Sequence, residues 1–124
     1  MVAKVRIREE LLDYLLELAR NAHPNEFMGF LRAKNGVVEE VLIAPDIRPG
    51  PTSVFFNTWM LPLDDSIVGT VHSHPAPIPD PSPQDLWFFS KFGGVHLIVF
   101  YPYSRENVWA YNSEGSRIEI ELVP

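Results

Sequence analysis

Two histidines one residue apart, in a segment patterned as a β-strand, are the feature that most constrains how this chain folds. Residues 66–71 are rich in β-branched side chains, which favours a strand leading into His72 and His74. Because successive side chains of a strand point to opposite faces, the two imidazoles lie on one face and Val71 and Ser73 on the other. Two imidazoles placed in this way can bind one metal ion, and imidazole is a common zinc ligand.

A helix is predicted to begin shortly after the histidines. Ser82, Pro83 and Asp85 occupy the N-cap, first and third positions before an apolar run at 86–89. The loop at 75–81 contains four prolines, and it can fold back so that Asp85 becomes a third ligand. Two histidines and one carboxylate leave one position of a zinc ion open, as catalytic zinc sites do.

Asp85 also has a role that needs no metal. An acid at the third helical position completes a capping box with Ser82 and interacts favourably with the helix dipole. The local sequence leaves both roles open, and they are compatible if one carboxylate oxygen serves each.

This arrangement resembles the motif of the JAMM metalloprotease family, also called MPN+. The family pattern has two histidines and then a serine and an aspartate, with a glutamate upstream that is usually followed by a glycine and a leucine. The matching positions are His72-x-His74, then after seven residues Ser82-x-x-Asp85, and upstream, 46 residues before His72, Glu26-x-x-Gly29-x-Leu31. The resemblance covers about the whole chain, because the family's domain is about this size.

The resemblance also gives roles to Glu26 and Ser82. On sequence alone Glu26 is typical of a solvated loop residue, and Ser82 of an N-cap whose oxygen accepts a backbone N–H. The resemblance implies that Glu26 accepts a proton from the attacking water and passes it to the leaving amine. It implies that Ser82 donates to the oxyanion. Gly29 indicates a close approach of backbone or substrate.

The composition excludes several other classes of protein. The 124 residues are enough for one domain, predicted to span 1–124. The chain has no cysteine, which excludes disulfides, thiolate nucleophiles and cysteine-based zinc sites. A net charge of −6 without a basic cluster disfavours nucleic acid as a partner.

No apolar run suits a membrane span and no signal peptide is recognisable, so we expect a cytoplasmic protein without a membrane partner. The oligomeric state is not indicated.

The hydrophobic periodicity predicts a mixed α/β domain with about seven strands and two main helices. Together with the resemblance, it predicts a curved mixed β-sheet flanked by the two helices, which is the cytidine-deaminase-like MPN domain. Residues 45–51 are predicted as loop, 58–65 are ambiguous, and Asn35-Gly36 and 112–115 are predicted hairpin turns. The helices are predicted over 8–21 and from Ser82 to about residue 91. The strands are predicted at 3–7, 27–33, 37–43, 66–71 with its continuation into the histidines, 95–101, 107–111 and 117–123, with 54–56 as a further short one.

The remaining histidines and aromatic residues are interpreted as structural. His23 is expected at the surface at the end of the first helix, and His96 within a strand, neither as a ligand. The following aromatic residues are expected in the core or in the wall of a groove: Phe55, Phe56, Trp59, Trp87 and Phe88.

The activity implied by the resemblance is that of a zinc-dependent isopeptidase. One zinc ion per chain, held by His72, His74 and Asp85, would serve hydrolysis of the amide bond between the C-terminus of a ubiquitin-like modifier and a lysine of its target. The short spacings indicate a minimal, free-standing prokaryotic or archaeal form.

Three alternatives remain beside this reading. The first is a peptidase that trims a linear extension from a ubiquitin-like or sulfur-carrier protein, and the second is a non-catalytic MPN scaffold. The third, a deaminase-like hydrolase of small molecules, is disfavoured because it would use cysteine ligands and a His-x-Glu pattern.

Overall fold

Seven strands and two helices make up residues 4–43 and 65–124, the part of the chain that the computed structural model describes. The elements are β1 (Lys4–Arg8), α1 (Glu9–Ala22), β2 (Met28–Lys34), β3 (Val37–Ile43), β4 (Ile67–His74), α2 (Pro83–Phe92), β5 (Val95–Phe100), β6 (Val108–Tyr111) and β7 (Arg117–Val123). The predicted mixed α/β class is therefore confirmed. The loop predicted at 45–51, the strand at 54–56, nearly all of the ambiguous stretch at 58–65, and Phe55, Phe56 and Trp59 lie outside the described residues.

The strands form one mixed sheet in the order β1-β3-β2-β4-β5-β6-β7, which closes into a barrel. Closure comes from β7, which pairs in parallel with β1 from Lys4↔Glu119 to Arg8↔Val123. The other parallel pairs are β1 with β3 and β4 with β5. The curved mixed sheet expected from the sequence is thus curved enough for its first and last strands to meet.

Strand β5 is buried on both faces, as its continuous apolar sequence predicted. Val95, Leu97 and Val99 belong to the larger hydrophobic cluster, which also contains the apolar face of α1. Ile98 belongs to a second cluster with Phe88 and Phe89 of α2. The sheet therefore has an α1 face and an α2 face, and the alternation along each strand decides which side chains reach which helix.

Helix α1 packs against the sheet through one apolar stripe. Leu11, Leu12, Leu15, Leu16 and Ala19 are buried at a spacing of three and four residues. Glu9 and Glu10 in the first turn and Arg20 in the last suit the helix dipole. The helix ends before His23-Pro24, as predicted from the proline.

Two glycines allow β4 and β5 to approach closely. A Cβ atom at Gly69 would collide with the Val95 carbonyl, and one at Gly94 would collide with the Val68 carbonyl. Gly94 also has a φ of +73°, which other residues rarely adopt. The chain can therefore leave α2 and enter β5 directly beside β4, in the register that pairs His72 with Ile98.

His96 is a buried strand residue on the α2 face, in agreement with its predicted structural role. Its Nε2–H donates to the Gly93 carbonyl at 2.6 Å, and its Nδ1 accepts the Thr70 hydroxyl at 2.7 Å. Its ring stacks on that of Phe89 at 4.2 Å. Burial lowers the pKa of His96 to about 4, because the charged form would lose its hydration.

The lowered pKa of His96 predicts a loss of stability in acid. The unfolded chain takes up a proton below its ordinary pKa of 6.5, whereas the folded chain stays neutral until about 4. The stabilisation is therefore complete above pH 6.5, and by pH 4.5 about 2.5 kcal/mol of it is lost. The free energy of unfolding should fall between pH 7.5 and 4.5 in the wild-type protein. In His96→Gln, whose side chain cannot titrate, we expect this fall to be smaller by about 2.5 kcal/mol. Urea unfolding of both proteins in a chelator measures it, and equal losses in the two proteins would contradict the prediction.

Candidate metal centre

Strand β4 directs His72 and His74 to the α2 face of the sheet. Val71 of β4 is fully buried on the opposite side, in the hydrophobic cluster that contains α1. The His72 ring lies 6.4 Å from the Phe89 ring of α2, and Met28 of β2 stands opposite His72. The predicted strand, which continues through both histidines, therefore places both imidazoles on one side.

The N-terminus of α2 brings Asp85 to the same place. Ser82 is the N-cap, Pro83 opens the helix, and the predicted capping box is present. The Asp85 N–H donates to Ser82 Oγ at 3.0 Å, and the Ser82 N–H donates to Asp85 Oδ2 at 2.9 Å. The preceding loop is tied to the barrel because the Tyr111 hydroxyl donates to the Pro79 carbonyl at 2.7 Å.

Three side-chain atoms converge where β4 and α2 meet. The two Nε2 atoms of His72 and His74 are 3.1 Å apart, and Asp85 Oδ2 lies 3.4 Å from the first and 3.5 Å from the second. A tetrahedral ion with ligands at zinc distances would separate them by about 3.4 Å. Among residues 4–43 and 65–124 this is the group of three whose atoms could hold a metal ion, and two imidazoles with one carboxylate suit zinc.

The tautomer of His74 is fixed by a backbone carbonyl. Its Nδ1 lies 2.9 Å from the Ile78 oxygen, which can only accept, so Nδ1 carries the hydrogen and Nε2 keeps its lone pair for a metal. Burial alone would lower the pKa of His74, but the hydrogen bond to Asp85, the Ile78 carbonyl and the charges of Asp85 and Glu26 together raise it. Nothing in the sequence pointed to Ile78, because a carbonyl is available at every residue.

Asp85 is ionised at neutral pH. Burial would raise the pKa of its carboxyl group, but hydrogen bonds with His72 and His74, supported by the Ser82 N–H, hold that pKa far below its usual range. One oxygen, Oδ2, serves both the cap and the histidines, whereas the sequence led us to expect one oxygen for each role. The reason is that the end of α2 faces the histidine pair, so both sets of donors approach the same oxygen.

Glu26 lies in the short segment between α1 and β2 and is exposed. Phe27 packs against the larger hydrophobic cluster, which contains the apolar face of α1, and Met28 packs against the second cluster, which contains Phe88 and Phe89 of α2. Glu26 precedes β2, and its negative charge contributes to the raised pKa of His74, so its carboxylate lies within electrostatic reach of that imidazole. Gly29 has a different neighbour, because a Cβ there would meet the Val41 side chain at 2.7 Å and the Leu42 carbonyl at 3.1 Å. The close approach predicted at Gly29 is thus with β3.

The other predicted residues lie outside the group of three. Ser82 is exposed, and its oxygen is used by the cap while its hydroxyl hydrogen remains able to donate. His23 is exposed at the end of α1, as expected, yet its ring binds Tyr103 and stacks on Tyr101. Phe88 is in the core, whereas Trp87 is 52% exposed on α2.

Comparison with known proteins identifies the family. The family described as prokaryotic homologues of the JAB domain matches residues 8–112. The chain belongs to this family. It is accordingly a member of the JAMM/MPN+ group that the motif resembles, and its mixed barrel is the JAB fold.

Individual JAB relatives agree along nearly the whole chain. A protein of Haloferax volcanii named "Probable metalloprotease" is 33% identical over 96% of this chain and 80% of its own. The crystal structure of a JAB1/MPN domain protein from Archaeoglobus fulgidus is 37% identical, with a TM-score of 0.79 over 97% of this chain and 100% of its own. A structure described as "JAMM: A Metalloprotease-like Zinc Site in the Proteasome and Signalosome" is 35% identical, with a TM-score of 0.77 over 97% and 98%.

No helix within residues 4–43 and 65–124 is long and apolar enough to cross a membrane.

If the three atoms hold a metal, zinc should stabilise the fold. Zinc at 100 times its dissociation constant adds about 2.7 kcal/mol to the free energy of unfolding. For a domain of this size that raises Tm by roughly 10 °C. We expect this rise in the wild-type protein after EDTA treatment and dialysis, and its absence in His74→Ala. His23→Ala is the matched control, because that histidine lies outside the group, and it should keep the rise.

Asp85→Asn separates metal binding from helix capping. The amide oxygen can still accept the Ser82 N–H, but the carboxylate charge is gone. The Tm of the metal-free variant should stay within a few degrees of wild type, while the zinc-induced rise is lost. A full zinc response in Asp85→Asn would exclude Asp85 as a ligand.

Proposed function

We propose that this protein is a zinc-dependent isopeptidase that hydrolyses the amide bond between the C-terminus of a ubiquitin-like modifier and a lysine of its target. The observation that carries the proposal is the convergence of His72 Nε2, His74 Nε2 and Asp85 Oδ2 at mutual distances of 3.1 to 3.5 Å. The relatives named as a probable metalloprotease and as a metalloprotease-like zinc site support the class of reaction.

One zinc ion per chain would be held by His72, His74 and Asp85. When bound, zinc lowers the pKa of a water molecule and polarises a carbonyl group. The chain holds the ligands ready for this role, because the Ile78 carbonyl keeps the lone pair on His74 Nε2 and the Ser82 N–H orients the Asp85 carboxylate.

Glu26 is the group that moves the proton. Asp85 Oδ2 already serves the helix cap and both histidines, whereas Glu26 is exposed and its charge acts on His74. Its carboxylate accepts a proton from the attacking water and then delivers it to the nitrogen of the leaving lysine. Attack of the water oxygen forms the new C–O bond and puts negative charge on the carbonyl oxygen. Collapse of this tetrahedral species restores the C=O bond and breaks the amide C–N bond, and the leaving nitrogen takes the proton from Glu26.

Ser82 is proposed to stabilise the negative charge that forms on the carbonyl oxygen. Its Oγ already accepts the Asp85 N–H, so the hydroxyl hydrogen is directed away from the helix and can donate. A donor fixed beforehand at a helix N-terminus needs no rearrangement during the reaction, which is the condition for effective oxyanion stabilisation.

A modifier with a flexible C-terminal tail suits a centre at the surface. The side chains of His72, His74 and Asp85 retain 13%, 16% and 20% of their accessible surface, so an extended chain can reach them from outside. Such a tail could lie against the sheet in extended form, a recurring mode of peptide recognition. The same chemistry would serve a peptidase that trims a linear extension, and only the substrate distinguishes the two.

The proton role predicts that Glu26→Gln stops turnover without removing the metal. Zinc per chain, measured on the dialysed protein, should stay near one, while kcat falls by about 100-fold or more. Glu114→Gln is the matched control, because that glutamate lies in the turn between β6 and β7, and its kcat should be unchanged. An active Glu26→Gln enzyme would exclude this role.

The substrate class is tested with paired substrates. A panel of ubiquitin-like proteins is prepared, each joined through its C-terminal glycine either to a lysine side chain or to a linear extension. We expect the lysine-linked form to be cleaved with the higher kcat/KM, and EDTA to abolish cleavage. Faster cleavage of the linear form would favour the trimming peptidase, and zinc binding without cleavage of either form would favour a scaffold.

A further inference from the structure

The segment that carries Glu26, residues 23–27, is held at both ends by buried hydroxyl groups. The Phe27 N–H donates to Ser73 Oγ at 2.9 Å, and His23 Nδ1 is 2.7 Å from the Tyr103 hydroxyl. Ser73 is 0% exposed and Tyr103 2% exposed. The segment has no helical or strand structure of its own. Besides a backbone bond from the Asn25 N–H to the Ala22 carbonyl at 2.8 Å, these two contacts hold the residues around Glu26 in place.

Ser73 ends the pairing of β2 with β4. The last paired residues are Met28 and His72, and one further backbone bond follows, from the Ser73 N–H to the Phe27 carbonyl at 3.1 Å. The Phe27 N–H is taken by the Ser73 side chain. A β-hydroxyl at this position thus anchors the residue directly before β2, and Glu26 is the next residue outward.

Ser73 anchors Phe27 from the side of β4 opposite to the candidate metal ligands. Ser73 lies between His72 and His74 in sequence, but its side chain points to the opposite, α1 face of β4. It therefore reaches Glu26 through the backbone of Phe27, and it does so without touching the three converging atoms.

Tyr103 holds the other end of the segment. His23 caps the C-terminus of α1, and its ring stacks on Tyr101 at a centroid distance of 5.0 Å. Arg20 donates to the Tyr103 carbonyl at 2.8 Å, and the Tyr101 N–H donates to the His74 carbonyl at 3.1 Å. The loop that binds His23 is thus hydrogen-bonded to His74. Both ends of the Glu26 segment are therefore connected to β4, the strand that carries the histidines.

We propose that Ser73 and Tyr103 are positioning residues, which hold Glu26 toward His74 through Phe27 and His23. This inference rests on the proposed function, in which Glu26 moves the proton. A general base must lie within hydrogen-bond reach of its proton, and a misplacement of about 1 Å can cost as much as ~100-fold in rate. Neither hydroxyl touches the reacting atoms, so its effect should be confined to the step that Glu26 performs.

Kinetics of Ser73→Ala test the inference. We expect kcat to fall about 10- to 100-fold, while KM and zinc affinity stay within about threefold of wild type. Ser73→Thr keeps the hydroxyl and should recover most of kcat, and Tyr103→Phe, which loses only an oxygen, should lower kcat in the same way. Ser116→Ala removes an exposed serine and should change nothing.

A double variant distinguishes positioning from general destabilisation. In the Glu26→Gln background, Ser73→Ala should cause no further loss of kcat, because the group it positions no longer works. A loss that multiplies with that of Glu26→Gln, or a loss of zinc affinity in parallel with kcat, would overturn the proposal.

A measurement without substrate separates this inference from the proposed function. With carboxyl-labelled glutamate, the Glu26 ¹³C signal should move when zinc is added, and the Glu114 signal should not. In Ser73→Ala and Tyr103→Phe the movement should be at least halved, and in Ser73→Ala the Phe27 amide should exchange at least tenfold faster. If no conjugate is cleaved but these changes occur, the isopeptidase proposal fails and the positioning stands. An equal zinc response of Glu26 in wild type and both variants overturns the positioning.

Discussion

The candidate centre depends on one carboxylate oxygen. Asp85 Oδ2 accepts the Ser82 N–H at 2.9 Å and lies within 3.5 Å of both imidazole Nε2 atoms. Asp85 thus joins the N-terminus of α2 to the end of β4, where the two imidazole Nε2 atoms lie 3.1 Å apart. The oxygen that faces both histidines is thus the oxygen that caps the helix, which couples the start of α2 to the geometry of the site.

One face of β4 carries the candidate metal ligands, and the other packs into the hydrophobic core. His72 and His74 point to the α2 face, whereas Val71 and Ser73 are fully buried on the α1 face. Along β4, residues therefore alternate between the site and the core. The histidines are held in place because their neighbours in the strand are packed in the core and cannot move without disturbing the barrel. Glu26 shares this support indirectly, because the backbone of Phe27 is bound to Ser73.

The features that could be predicted from the sequence are those that depend on residues close together in the chain. Strand and helix bounds, the capping box at Ser82 and the shared face of the histidines all follow from periods and spacings within about twenty residues, and the structure agrees with them. Barrel closure does not follow in this way, because Lys4 pairs with Glu119 across almost the whole chain. The contacts of Ile78 and Ser73 were also missed, since one is made by a carbonyl and the other depends on which strand lies alongside β4.

The exposure of the centre bears on what it can act upon. Enzymes that bind small molecules generally bury most of the ligand in a concave pocket. Here Glu26 and Ser82 are exposed, and the three converging side chains keep between 13% and 20% of their surface. The converging side chains are thus mostly buried but remain partly accessible from outside. Under the proposed isopeptidase function, a folded modifier would supply further contacts through its own surface while its extended tail reaches the centre.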